Sequence, residues 1–417
     1  MPKLVVSTVF LVVALFILRW GYLALSGQQV PGFDFRCYYT AALMARNHQS
    51  KDVYLSVGDR DPLLDRDRID SGTAFARTAA AHHVYADEVA LYDYPPTLAD
   101  LVVPFTFLEP STALKAWFAM NMVALVWACV LLLRMPGLDL SGHFLPVLGF
   151  LLFPPTVCCL FYGQASILLF LFIVAAINLY AGHRIHSAAF LFALAIAIKL
   201  TPLVVVIPLL AWRDWKMLRA IAFWGMVILA ALVIVNGWGS LDIYFFHVMP
   251  RIGSKFYIGN RSLASLLQVL WLRTQRGTSL PILGWIGKLI ALLAFSYAGW
   301  NVRAKPALEL NDKFKVRSIA SFFLLSCSLA PVSWVHAYVL GAPALVIFGK
   351  HIWEGQSSVL ESLAFLLLIV SLATNTLLPL VVLAPVMGLV LGLIGLRRLR
   401  CGDVRDEGPA KLLPVAS

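Results

Sequence analysis

The stretch His186-Ser-Ala-Ala-Phe-Leu-Phe-Ala-Leu-Ala-Ile-Ala-Ile-Lys-Leu-Thr-Pro-Leu-Val-Val-Val-Ile-Pro-Leu-Leu-Ala-Trp212 decides the fold class. From His186 to Ile198 it contains no Asp, Glu, Lys or Arg. A run of this length and apolarity reads as a membrane span, since about 20 apolar residues cross a bilayer core. Lys199 and Thr201-Pro202 interrupt it, and the proline frees backbone groups that lipid cannot satisfy. The whole chain has the same character. Its 417 residues are 60% hydrophobic and only 13% charged, with a mean hydropathy of +0.82. A soluble domain carries roughly 25% charged residues, so an ordinary soluble protein is excluded.

Outward from this stretch, further apolar runs cover about 112–133, 144–160, 165–180, 218–236, 281–300, 318–330, 337–349, 359–373 and 378–396. The N-terminal run Leu4–Leu25 reads as an uncleaved anchor, with cleavage before Gly27 as the alternative. Together they predict an all-α polytopic bundle of about 11–13 spans forming a single membrane domain over 1–417. The run Thr97–Leu108 is short for a straight crossing and either tilts or re-enters. Lys and Arg cluster at 212–219, 303–317 and 397–400, which predicts cytoplasmic positions for them and for the tail 397–417. That distribution explains the net charge of +11 without nucleic acid. The segments 26–96 and 237–280 then become outer loops, the first of them helical in part.

The architecture excludes function classes. No cytoplasmic segment is large enough to hold a nucleotide, and neither a Walker loop nor a dinucleotide-binding glycine pattern is present. Chemistry on the outer face would need a substrate activated on a lipid carrier. Asp59-Arg-Asp61 and Asp65-Arg-Asp67 have the spacing of a metal-holding pair, yet they alternate with arginine in an outer loop and read as a solvated charged face, with a divalent-cation site as the alternative. The six cysteines show no paired spacing, which argues against a disulfide framework or a zinc site. No metal is demanded where side-chain cations carry the charge of a leaving group, and no cofactor is expected.

Polar residues inside or beside apolar runs are costly and mark candidate sites. Lys199 is either a functional cation or a lysine snorkelling to an interface. Asp34, in Gly32-Phe-Asp-Phe-Arg-Cys-Tyr-Tyr39, is either a general base or the N-cap of a helix over 37–47. Gln164 either binds a sugar hydroxyl or joins helices. His336, after Ser333-Trp334, is an acid, a phosphate ligand or a packing histidine. Tyr92-Asp-Tyr-Pro-Pro96 suits a rigid interfacial corner, and Arg261 beside Asn260 suits a phosphate clamp.

The order of these motifs resembles glycosyltransferase family 87, the polyprenyl-phosphate-mannose-dependent mannosyltransferase-like proteins of the GT-C class. The resemblance rests on Asp34-Phe35 with Tyr38-Tyr39-Thr-Ala-Ala42 and Val53-Tyr54, Tyr94-Pro-Pro96, and Gly163-Gln164. It continues through Ala197-Ile-Lys-Leu-Thr-Pro202 with Trp212-Arg213, Asn260-Arg-Ser262, and Ser333-Trp334 with His336. Family members often have Gln where Arg261 stands and a second His where Ala337 stands. The resemblance implies a GT-C-like bundle at the plasma membrane with its site facing outward. It implies inverting transfer of a hexose, often mannose, from a polyprenyl-phosphate donor to a lipid or glycan acceptor. Asp34 is then the base. Lys199, Arg261 and His336 would hold the donor phosphate, and Tyr38, Tyr39, Tyr94, Gln164, Asn260 and Trp334 would contact substrate. A transporter or flippase of lipid-linked or polysaccharide intermediates is the alternative for a bundle with broken helices, although no internal repeat is visible.

Overall fold

The computed structural model describes residues 13–15, 18–19, 31–56, 72–84, 91–136, 149–252, 261–263, 265–267, 281–303, 310–330, 333–373 and 383–402. The Asp-x-Asp pairs, Asn260, most of the Leu4–Leu25 run and the tail beyond 402 lie outside them. Among the described residues every regular element is helical. The chain is an all-α polytopic bundle. By length and composition, three helical stretches suffice to cross a membrane, Pro110–Leu133, Trp215–Asn236 and Val335–Trp353, and shorter apolar helices pack around them.

In chain order the helices are α1 (Phe33–Arg46), α2 (Ala74–Ala81), α3 (Pro96–Val102), α4 (Pro110–Leu133) and α5 (Pro154–Tyr162). Then follow α6 (Ser166–Ala181), α7 (Ile185–Ile198), α8 (Val206–Ala211), α9 (Trp215–Asn236), α10 (Trp238–Asp242) and α11 (Met249–Ile252). The last are α12 (Pro281–Val302), α13 (Asp312–Leu329), α14 (Ala342–Trp353), α15 (Val359–Ala373) and α16 (Leu383–Gly402). Local chemistry sets many of the starts. Proline occupies the first turn of α3, α4, α5 and α14, where its missing N–H costs nothing. The side chains of Thr73, Asp214 and Asn311 accept backbone N–H bonds at the starts of α2, α9 and α13.

The sequence's long run 186–212 is broken where Lys199 and Pro202 predict it. α7 stops at Ile198, Lys199 is extended (φ −153°, ψ 133°), and a 3₁₀ turn over Thr201–Val205 leads into α8. The ambiguous segment 97–108 folds as α3 plus a 3₁₀ turn, Val103–Phe107, laid along α1. Arg46 at the end of α1 donates to the Thr106 carbonyl at 3.0 Å and sits over the Phe107 ring. This element pairs with α1 along its length.

α6 and α13 lie deepest in the bundle. α6 is buried over most of its surface, and so is α13 from Val316 to Leu329. α9 packs on α7 by one stripe and leaves Met226, Ile234 and Val235 exposed, an outward apolar face suited to lipid. α13 and α16 approach closely because glycines face α13. A Cβ on Gly392 would lie 2.6 Å from Leu325 Cγ. Gly392→Leu is therefore expected to cost about 1–3 kcal/mol by overpacking. A lowered midpoint of thermal unfolding in detergent, relative to wild type, is the measurement that checks it.

Candidate active site

Two left-handed glycines bring the candidate residues together. Gly32 (φ 75°) starts α1, and its N–H donates to the Phe161 carbonyl at 2.8 Å, fixing α1 to the end of α5. Gly163 (φ 68°) ends α5. A Cβ there would lie 2.8 Å from Phe35 Cβ, so only glycine lets α1 approach this closely. The corner is locked by Trp117 on α4, whose indole N–H donates to the Gly163 carbonyl at 2.8 Å. The fully buried Trp117 ring also stacks on Phe35, with centroids 5.2 Å apart. Gln164 N–H donates to the Cys159 carbonyl at 2.8 Å, completing the turn.

The corner aims Gln164 at Asp34. Its Nε2 donates to Asp34 Oδ2 at 2.5 Å, and its Oε1 accepts from Tyr38 at 2.9 Å and from Tyr94 at 3.3 Å. A carboxylate only accepts, so the amide nitrogen must face Asp34 and the oxygen the phenols. Burial, and then the neighbouring Asp34 carboxylate, push the Tyr94 phenol well above its ordinary value. It therefore stays neutral and donates. Asp34 is not the cap of α1; that position belongs to Gly32, and no side chain caps the helix. Asp34 stands in the first turn, where the helix dipole favours its charge.

Lys199 arrives from the break after α7. Its Nζ lies 5.7 Å from the centroid of the Tyr94 ring, within cation–π reach. It interacts electrostatically with Asp34, but no carboxylate among the described residues lies within ion-pair distance of it. His336 follows Trp334 in the 3₁₀ turn Val335–Gly341. The Cys159 thiol donates to its carbonyl at 3.4 Å, its ring interacts electrostatically with Lys199, and its buried Nε2 has no hydrogen-bond partner among the described residues. Arg261 is buried beside these elements. Its N–H donates to the Ser333 carbonyl at 2.5 Å, and its own carbonyl accepts from Tyr338 at 3.2 Å. Arg261 and Ser333-Trp334 thus belong to one wall.

Of the sequence candidates, Asp34, Tyr38, Tyr94, Gln164 and Lys199 converge, and His336 joins them through Cys159 and Lys199. Tyr39 does not. Its hydroxyl donates to the Leu108 carbonyl at 2.8 Å, toward the end of the 3₁₀ turn along α1. Trp117 had no signal in the sequence, where it is one more aromatic in an apolar run. Tyr92 forms the expected corner by donating to the Pro95 carbonyl and accepting the Ala99 N–H. Among the described residues no three His, Cys, Asp or Glu side chains converge as metal ligands.

Residues 92–327 match glycosyltransferase family 87. Two curated relatives carry the description polyprenol-phosphate-mannose-dependent alpha-(1-2)-phosphatidylinositol mannoside mannosyltransferase. The one from Mycobacterium tuberculosis is 25% identical over 297 residues, 66% of this chain and 65% of the relative. The one from Mycolicibacterium smegmatis is 26% identical over 278 residues, 61% of each chain. The matched region therefore spans less than two thirds of either relative's length. No solved structure matches the chain.

The corner makes a specific demand on residue 163. Gly163→Val forces a β-branched residue into a left-handed conformation against Phe35 and is expected to cost about 1–3 kcal/mol. Gly182→Ala, at a glycine without positive φ whose Cβ would come no nearer than 3.4 Å to another atom, should be nearly neutral. Thermal unfolding of both variants checks the contrast.

Proposed function

This chain belongs to glycosyltransferase family 87, and we propose that it moves a hexose from a polyprenyl-phosphate donor to a lipid or glycan acceptor. Mannose is the sugar named for both curated relatives, and a phosphatidylinositol mannoside is the acceptor in their description. The reading places the reaction at the outer face of the plasma membrane. It follows from the cytoplasmic assignment of the basic segments.

The single observation that carries the proposal is a carboxylate held by a neutral amide beside a cation that is not paired to it. In the proposed reaction an acceptor hydroxyl attacks the anomeric carbon of the donor sugar. A new carbon–oxygen bond forms as the bond to the phosphate oxygen breaks, in one displacement that inverts the anomeric centre. The hydroxyl proton passes to Asp34, acting as general base, and polyprenyl phosphate departs with the bonding pair. Gln164 holds Asp34 Oδ2 and so sets the direction of the carboxylate.

Lys199 faces the phosphate, where its charge is worth most as negative charge develops on the leaving group. Arg261 and His336 add to that wall. A buried ring nitrogen without a partner costs about 1–3 kcal/mol, and a phosphate oxygen would complete His336 Nε2. Phosphate leaves without protonation, so one carboxylate suffices, whereas glycosidases normally use two. Tyr38, Tyr94, Trp334 and Asn260 are proposed to contact substrate.

Asp34→Asn keeps the shape and removes the base. It is expected to lower transfer from polyprenyl-phosphate-mannose by at least about 100-fold in purified protein, with expression and unfolding midpoint retained. Wild-type turnover in that variant would refute the assignment. Lys199→Met should weaken donor use by about 10²–10³-fold in kcat/KM, with acceptor KM unchanged. An unchanged donor profile would return the lysine to a structural role.

A further inference from the structure

At the opposite end of α13 from Arg261 and Tyr338 lies a second assembly of cations. Ser328, near the end of α13, touches the Tyr338 hydroxyl that bonds Arg261. Lys313 and Arg317 stand at the beginning of the same helix. The distance from Lys313 to Ser328 is about 22 Å at ~1.5 Å of rise per residue. This end therefore has no part in the site around Asp34.

Lys313, Arg317, Arg398 and His351 line a cavity of about 100 Å³ between the start of α13, α14 and the end of α16. Among the described residues its lining contains three permanent cations and no carboxylate. Glu361, on α15 outside the lining, bonds Arg398. Arg398 is held in place by a further bond from its second terminal nitrogen to the Gln356 carbonyl at 3.1 Å. Its NH1 lies 2.9 Å from His351 Nδ1. A guanidinium only donates, so His351 accepts there and, as the neutral ring, carries its proton on Nε2. Arg398, His351 and the Ser321 hydroxyl share this lining.

The space and the walls select the ligand. The cavity, of about 100 Å³, leaves room for a group of phosphate size. Phe314, Ile347, Phe348 and Leu399 continue the lining as apolar surface, which free phosphate would leave uncovered. Gly395 faces this space with no side chain of its own; a Cβ there would meet Ser321 Oγ at 2.8 Å and Phe348 Cζ at 3.5 Å. We propose that this cavity binds the phosphate of an anionic phospholipid, with the acyl chains lying along the apolar surface beside it. Basic pockets between membrane helices recognise lipid headgroups in this way. The inference rests on the cavity alone and is independent of the transfer reaction.

The test uses purified full-length protein stripped of lipid in detergent. Phosphatidylglycerol, phosphatidylcholine and inorganic phosphate are titrated separately while the thermal unfolding midpoint is followed. Phosphatidylglycerol is expected to raise the wild-type midpoint by several degrees. Lys313→Gln/Arg317→Gln should need at least ten times more of it for the same rise. Phosphatidylcholine and inorganic phosphate should have little effect at matched concentration. Lys313→Gln alone changes an exposed residue, so it retains the fold and should show a smaller loss in the same direction. Native mass spectrometry of wild type and both variants counts bound phosphatidylglycerol directly. Equal responses of wild type and variants, or an equal response to phosphatidylcholine, would overturn the site. A full response to inorganic phosphate alone would overturn a lipid as its ligand.

Discussion

The candidate site depends on the close approach of α1 to the α5–α6 corner, which only glycine at 163 permits. That approach lets Phe35 stack on Trp117 and lets Trp117 bond the Gly163 carbonyl. It also places the first turn of α1 opposite Gln164. Asp34, Tyr38 and Tyr94 come from two separate segments of chain, and one amide side chain joins all three. An amide suits this task because it donates and accepts through atoms a fixed distance apart. Losing it would take one partner from a carboxylate and from each of two phenols.

The second constraint is the interruption at Lys199. An apolar run that continued through 199 as one helix would carry the ammonium along the bundle as part of a regular spiral. The extended residue at 199 and the proline at 202 instead stop α7 and turn the chain. Broken helices survive at membrane depth only where the freed backbone faces protein or a water-filled space. Here the break faces the Asp34 region, because Lys199 reaches the Tyr94 ring. The costly features of the sequence, a charge and a proline inside an apolar run, are thus spent on one place.

How much of this was legible in the sequence follows from the same physics. Gln164, Lys199 and Asp34 stood out because polar groups in or beside apolar runs are expensive and rarely accidental. The break after α7 is readable from Lys199 and Pro202, whereas the helix read over 37–47 begins four residues earlier, at Phe33, because its cap is a bare glycine. Tyr38 and Tyr39 could not be told apart. Adjacent helical residues point about 100° apart, and only packing decides which faces Gln164 and which faces Leu108. Trp117 was invisible because an aromatic in a span is ordinary. The basic segments near 313 and 398 announced themselves as charge clusters, but their convergence with His351 on one cavity is a tertiary fact.

The arrangement of charge around Asp34 has a further consequence. A base and a cation brought into direct contact would neutralise each other: the lysine would lower the basicity of the carboxylate, and the carboxylate would occupy the cation. The structure avoids that pairing. Asp34 is stabilised by a neutral amide donor and a helix start, and Lys199 by the face of an aromatic ring. A cation–π contact is worth about 0.5–2 kcal/mol and offsets part of the desolvation of the ammonium without cancelling its charge. Tyr94 serves both sides. One phenol therefore links the two groups, its hydroxyl bonding the amide that holds Asp34 and its ring facing Lys199.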